Sequence, residues 1–303
     1  MKSMKPKKIK AIVGNALEKA LAGRWIAGTR IRDAVARAEE LNARGESAVL
    51  NYLGEDFTEK WEIAEAVSKY QRLIREIAHT GVDAGVSLKL TQLGLRMSRS
   101  MARRNYEGLA NLARRHGVFA WLDMETHDTV DAALFIYERQ LKRKGGVGIC
   151  LQASLRRTEQ DAKRLVEKGA VIRLVKGSYK ENERVTFTKR NEVAANYIKL
   201  MSYLFRNAGE FTIATHDRGV IGEAMLLNRS YRRKVTYGML NGIKGEYADD
   251  LAGLGNRVSI YVPFGRKWAG YARRRISEEG PLALALRFIE VGRDRRRKPR
   301  GGR

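Results

Sequence analysis

The chain has 303 residues, 44% of them hydrophobic, with 59 Lys or Arg against 34 Asp or Glu and a formal net charge of +25. That length and apolar content suit one large core, and the lone Cys150 excludes an intrachain disulfide or a multi-cysteine zinc site. No apolar run of about eighteen residues escapes interruption by charge, so neither a membrane span nor a secretory signal is expected, and the protein is expected in the cytoplasm.

The start, Met1 to Lys10, reads MKSMKPKKIK, and Ile12, Ala16, Leu17, Ala20, Leu21, Ile31, Val35, Ala38 and Leu41 follow at helical spacing. Residues 1–45 are therefore expected to form an N-terminal helical element. Eight short apolar runs come next, each closing on or holding a polar residue. They are Ala48–Leu53 before Glu55, Val86–Leu90 around Lys89, Val118–Met124 with Asp123, and Val147–Gln152. The others are Val171–Lys176, Phe211–Thr215 before His216, Val235–Leu240, and Val258–Val262 with Tyr261.

Helical patterns separate these runs: Trp61–Ile77, Ala102–Ala113, Val130–Leu141, Glu159–Val166, Val193–Phe205, Val220–Leu227 and, more weakly, Glu246–Leu251. Gly145, Gly146, Gly169, Gly209 and Gly255 sit between a helix and the next strand, where helix C-caps favour glycine. Strands alternating with helices indicate parallel βαβ units, and eight of them indicate a closed (βα)8 barrel over residues 46–291. Sites in such barrels lie at the C-terminal strand ends, where the polar residues fall. The remainder, 292–303, reads GRDRRRKPRGGR and is expected to be a basic, disordered tail.

The charge raises two partners, nucleic acid and an anionic membrane surface, against a solvated basic surface as the plain alternative. No helix-turn-helix, zinc-finger or aromatic-glycine RNA-binding signature is present, so nucleic-acid binding stands only as the different-class alternative. Peripheral contact with the inner face of a membrane through the basic termini remains open. His79, His116 and His127 lack ligand spacing, and no metal is assigned.

The final helix, Lys267–Glu279, carries the densest chemistry. Tyr271, Arg274, Arg275 and Glu278 are three or four residues apart and share one face, while Arg273 points away. Two guanidinium forks on one face suit a carboxylate or phosphate. Lys89, alone in the apolar VSLKL, is costly to bury without an anionic partner, which a ligand carboxylate could supply.

In order, VSLKL, WLDME, CLQAS, RLVKGSY, ATHD, SIYVPFG and YARRRISEE resemble the proline dehydrogenase family of the monofunctional, single-domain kind, over about Ala48 to Glu279. The resemblance implies a distorted (βα)8 TIM barrel with its last helix over the active site. It implies FAD-dependent oxidation of L-proline to Δ1-pyrroline-5-carboxylate, with electrons passed to a quinone. By position, Arg274 and Arg275 match the pair that grips the substrate carboxylate and Lys89 the lysine that completes this pocket, while Glu55 matches a gate that pairs with the first arginine. Tyr261 and Tyr271 match ring-walling aromatics, and Leu174 and Tyr179 lie in a substrate-lining motif.

For FAD, the matching positions are Asp123, Met124, Gln152, Arg173, Val175, Lys176, Gly177, Thr215, His216 and Glu278, with Arg173 expected near flavin N5. Lys189 or Arg190 lies near a phosphate-contacting lysine. His216 taken alone is more often a hydrogen-bonded structural histidine, and the ATHD context favours flavin contact. The chain departs from the family pattern at Gly238-Met239-Leu240-Asn241-Gly242, where relatives usually have Gln-Met-Leu-Tyr-Gly, and at Ser178, where they have alanine. Another cyclic imino acid, such as pipecolate or hydroxyproline, is thus the nearest alternative substrate. The lack of a GxGxxG turn is no objection, because this fold holds FAD without a Rossmann domain.

Overall fold

The computed structural model describes residues 23–142 and 145–279. They fall into two compact units, Gly23–Arg266 and a second that includes 267–279. The basic stretches Met1–Lys10 and Gly292–Arg303, and the first part of the expected N-terminal helix, lie outside the described residues.

Eight parallel strands form the first unit's centre: β1 (Glu46–Tyr52), β2 (Ala84–Leu88), β3 (Ala120–Leu122), β4 (Val147–Gln152), β5 (Val171–Val175), β6 (Glu210–Ala214), β7 (Lys234–Leu240) and β8 (Arg257–Phe264). Each pairs with the next, and β8 returns to β1 with Glu46 opposite Val258 and Tyr52 opposite Phe264. The barrel is closed, which removes every exposed strand edge. Helices alternate with the strands: α1 (Ile31–Asn42), α2 (Lys60–Thr80), α3 (Arg99–Arg115), α4 (Val130–Leu141), α5 (Thr158–Glu167), α6 (Arg190–Asn207), α7 (Arg218–Tyr231) and α8 (Gly245–Gly253). The expected spans of β4 and α4 coincide with the observed ones. Lys89, expected within a strand, lies one residue beyond the end of β2.

The apolar stripe of α1 (Ala34, Val35, Ala38, Leu41) is buried, and the helix packs along β1 and β8. It therefore belongs to the barrel unit and covers the seam where the first and last strands meet. Asn241 secures this packing. Its amide donates to the Trp25 carbonyl at 3.0 Å, and its side-chain carbonyl accepts from Arg37 Nε at 2.9 Å. One departure from the family pattern thus has a structural reason in this chain.

At the other end of the ladder the strands separate in a controlled way. The β1–β2 pairing runs only to Leu50 opposite Val86. Beyond it the buried Tyr70 hydroxyl donates to the Ser87 carbonyl at 2.8 Å and accepts from the Tyr52 N–H at 3.2 Å. The Asn51 amide adds a 2.9 Å bond to the Ser87 carbonyl. Polar groups freed from the ladder are thereby satisfied, and the chain can turn outward toward Glu55 and Lys89. Among the described residues no helix is long and apolar enough to cross a membrane.

Candidate active site

Side chains alternate along each strand, so Arg173 and Val175 of β5 face one way, and Ile172 and Leu174 the other. Arg173 meets side chains from β3, β4 and β8, so its side is the barrel interior. Its Nη2 pairs with Asp123 Oδ1 and donates to Ser87 Oγ at 2.9 Å, and its Nε donates to Cys150 Sγ at 2.7 Å. Ser87 Oγ donates to Asp123 Oδ1 at 2.7 Å, and Tyr261 Oη donates to Asp123 Oδ2 at 2.8 Å. The Arg173 guanidinium carbon lies 4.7 Å from the Trp121 ring centre and 5.5 Å from that of Tyr261. All these residues except Tyr261 are buried, and Tyr261 is partly so.

Burial alone pulls the Arg173 pKa down, but Cys150, Asp123 and Tyr261 reverse that, and the group stays charged. Burial and the Asp123 charge push the Tyr261 hydroxyl well above its ordinary value, so it remains a phenol that donates to the carboxylate.

A second cation sits at the end of β2. Lys89 Nζ lies 2.8 Å from Glu55 Oε2 and donates to Tyr179 Oη at 3.3 Å, while Tyr179 Oη donates to the same Glu55 oxygen at 3.2 Å. Burial disfavours the ammonium, but Tyr179, Glu55, Glu125 and Asp123 together raise it above the ordinary lysine value. Glu55 thus makes an ion pair with Lys89. The anionic partner that Lys89 requires comes from within the chain.

Glu125 completes this region, although sequence reasoning did not single it out. Its Oε2 accepts the Thr91 N–H at 3.0 Å, its Oε1 accepts the Thr91 hydroxyl, and its backbone carbonyl accepts Gln152 Nε2 at 2.7 Å. Burial raises its pKa, with Lys89 and the Thr91 bonds opposing. Glu125 stands two residues after Asp123 in WLDME, so the motif carried the signal. Arg96 then ties neighbouring loops together, binding Asp56 Oδ1 at 2.6 Å and also Asp128.

Other expected positions differ in how they relate to this cluster. Gln152 and Val175 are opposite each other in the β4–β5 register. Gly177 has φ +104°, and a Cβ there would lie 2.1 Å from Ser154 Oγ and 3.0 Å from Gln152 Oε1. Lys176 Nζ is 3.7 Å from Asp217. Thr215 is buried, and its hydroxyl accepts the Asp217 N–H at 3.2 Å. His216 Nε2 accepts the Leu240 N–H at 2.9 Å, so it also bridges the ends of β6 and β7, as the structural reading of this histidine expects.

Leu174 is not brought to the cluster. It is 1% exposed, faces the opposite side of β5 from Arg173 and belongs to the apolar core. Met124 is likewise a core residue. Lys189 and Arg190 are exposed at the start of α6, with Lys189 4.0 Å from Glu192, and neither bonds to the buried cluster. Gly238 faces the interior, where a Cβ would lie 3.0 Å from Thr212 Cγ2 and 3.2 Å from Ala214 Cβ. Among the described residues no group of His, Cys, Asp and Glu is placed to hold a metal ion.

In the second unit, α9 (Ala269–Glu279) carries Tyr271, Arg274, Arg275 and Glu278 at helical spacing, and the Arg275 guanidinium carbon lies 5.5 Å from the Tyr271 ring centre.

The backbone at Gly177 gives a direct expectation. Gly177→Ala forces a left-handed φ on a residue with a Cβ and drives that atom into Ser154, at a cost of about 1 to 3 kcal/mol. A lowered midpoint in urea unfolding checks it, and an unchanged midpoint contradicts it.

A family model described as Proline dehydrogenase matches residues 34–283 of this chain. Proline dehydrogenase 2 of Bacillus subtilis (strain 168) is 32% identical over 271 residues, 88% of this chain and 89% of that protein. The proline dehydrogenase of Deinococcus radiodurans is 31% identical over 267 residues, 85% of this chain and 86% of that one. Among solved structures, proline utilization A (PutA) from Bdellovibrio bacteriovorus inactivated by N-propargylglycine superposes with a TM-score of 0.80 at 22% identity. That match covers 86% of this chain, which spans about a third (33%) of the larger protein, and the likeness there is one of fold.

Proposed function

This chain belongs to the proline dehydrogenase family, and from that premise we propose that it oxidises L-proline to Δ1-pyrroline-5-carboxylate with a bound FAD and passes the electrons to a quinone. The observation that supports the site is the pair of buried cations, Lys89 just past the end of β2 and bound to Glu55 and Tyr179, and Arg173 within β5 and bound to Asp123. Such a place suits the carboxylate of an amino acid and a ring that gains negative charge.

A flavin suits the residues present. Gly177 leaves bare backbone between Gln152 and Ser154, and Arg173 supplies permanent positive charge in a buried setting. Gln152, Lys176, Gly177, Thr215 and His216 are the residues that would hold it, with Asp123, Val175 and Glu278 as further positions. FAD supplies, when bound, the two-electron acceptor for the hydride lost from the proline ring carbon, while the ring nitrogen loses a proton to leave the C=N bond.

The chain's own residues bind and orient. Arg274 and Arg275 are read, by family likeness, as the carboxylate clamp, and Lys89, by the same likeness, as a substrate-binding lysine. Glu55 is read as the gate, and its bond to Lys89 holds that ammonium in place before substrate arrives. Tyr261 and Tyr271 are read as walls for the proline ring. The quinone rests on family likeness. Peripheral contact with anionic lipid rests on the charge of the termini alone.

Tyr261 offers a test of substrate choice. Tyr261→Ser should admit 4-hydroxyproline by removing the ring beside the substrate, while also removing the bond to Asp123. The expected outcome is a rise of about tenfold or more in the ratio of kcat/KM for 4-hydroxyproline to that for proline. An unchanged ratio would remove Tyr261 from the ring-side wall. The proposed activity itself is tested by proline-dependent reduction of an artificial dye by the FAD-loaded protein. Dye reduction that does not depend on proline overturns it.

A further inference from the structure

We propose that Cys150, assisted by Ser87, is a positioning residue that fixes the roll of the Arg173 guanidinium, leaving its Nη1 edge to face a bound flavin. The inference rests on the reading of Arg173 as the cation beside the flavin.

A guanidinium carries five N–H donors in one rigid plane, so two anchoring points on different edges determine its orientation. Asp123 and Ser87 hold one corner, through Nη2. A group held only there can still pivot about that corner. The second point is Cys150 Sγ, which accepts Nε–H at 2.7 Å. The faces of the plane are also occupied, by Trp121 at 4.7 Å and Tyr261 at 5.5 Å. Three of the five donors, on Nε and Nη2, thus have acceptors in the chain. Nη1 has no acceptor among the described residues, which leaves its two N–H groups for a ligand.

The thiol suits this role because it keeps its proton. Burial pushes Cys150 up to about 12, with Arg173 opposing. As a neutral group it accepts from Nε–H while its own S–H donates to Asp123 Oδ1 at 3.5 Å. Ser87 repeats the pattern at the other corner, donating to Asp123 Oδ1 at 2.7 Å and accepting from Arg173 Nη2 at 2.9 Å. Two neutral relays therefore link one carboxylate to two edges of one guanidinium. The sequence gives no sign of this, since Cys150 in CLQAS reads as a buried apolar residue.

The test compares holoenzymes carrying Arg173→Met, Cys150→Val and Cys150→Ser. Valine preserves bulk but can neither accept nor donate, whereas serine does both. The readouts are the midpoint potential of the bound flavin, its visible absorption spectrum, the separate kcat and KM for proline, and the thermal midpoint. Arg173→Met should shift the potential to more negative values, because a positive charge no longer favours the reduced ring. Cys150→Val should shift it in the same direction by a smaller amount and lower kcat by about tenfold with KM within about twofold. Cys150→Ser should restore both.

If Arg173→Met moves the potential and Cys150→Val does not, whatever its effect on the thermal midpoint, the positioning role is overturned and the flavin reading stands. If Arg173→Met leaves the potential unmoved, the reading of Arg173 beside the flavin falls, and the proposal with it. Should Cys150→Val fail to fold, Ser87→Ala carries the same test from the other corner: a smaller shift in the Arg173→Met direction supports the proposal, and an unmoved potential overturns it.

Discussion

Replacing Lys89 by methionine is expected to raise the proline concentration for half-maximal rate by about a hundredfold or more and to lower the stability of the protein. Lys89 is buried, 2.8 Å from Glu55, and its charge also acts on the buried Glu125. Removing one partner of a buried pair leaves the other charge uncompensated, which costs about 3 to 5 kcal/mol. Methionine keeps the length of the stem and its apolar contacts, so the loss reports charge and not packing. The pH dependence has a definite sign. Burial already raises Glu125, and without Lys89 opposing it the folded-state value rises further. A carboxyl raised in the folded state favours folding when protonated, so the variant should regain part of its lost stability as pH falls from neutral toward the acid side. Chemical unfolding at two pH values, together with steady-state kinetics, checks both statements. A variant with KM within twofold of the parent and equal stability would remove Lys89 from the substrate site.

Arg274→Met and Arg275→Met should each raise KM for proline far more than they disturb folding. Each loses one fork of the proposed carboxylate clamp, a change of about 2 to 5 kcal/mol, or roughly thirty-fold to several thousand-fold in binding. Both residues lie on α9 three and four positions after Tyr271, so the loss is confined to one helical face. Arg273→Met serves as the comparison, because its spacing turns it away from that face. Unchanged proline kinetics in both variants would sink the clamp, and an equal loss in Arg273→Met would point to general charge in place of a clamp.

The barrel was legible because its signal is periodic and redundant. Eight apolar runs separated by helical patterns leave few alternatives, and the ends of β4 and α4 fall where sequence places them. The polar residues of the apolar runs were equally readable: Lys89, Asp123 and Gln152 at or just past strand ends, and Arg173 and Tyr261 within strands. What sequence left out is which side chains answer one another. Glu55 meets Lys89 because Tyr70 and Asn51 end the β1–β2 ladder and turn both segments outward, a geometry carried by residues far apart in the chain. Leu174 and Arg173 are neighbours in RLVKGSY yet face opposite sides of β5, an alternation the motif alone does not display. Cys150 and Glu125 were overlooked because a buried thiol and a carboxylate inside an apolar motif give no periodic signal. Asn241, a departure from the family pattern, acquires a purpose only once Trp25 and Arg37 are seen to bind it.

The most direct measurement of the central claim is anaerobic titration of the FAD-loaded protein with L-proline. The visible absorption band of the oxidised flavin should disappear as Δ1-pyrroline-5-carboxylate forms in equal amount, and an added quinone should restore the band. A protein that binds FAD yet keeps that band in the presence of excess proline, or that loses it without forming the imine, would contradict the account.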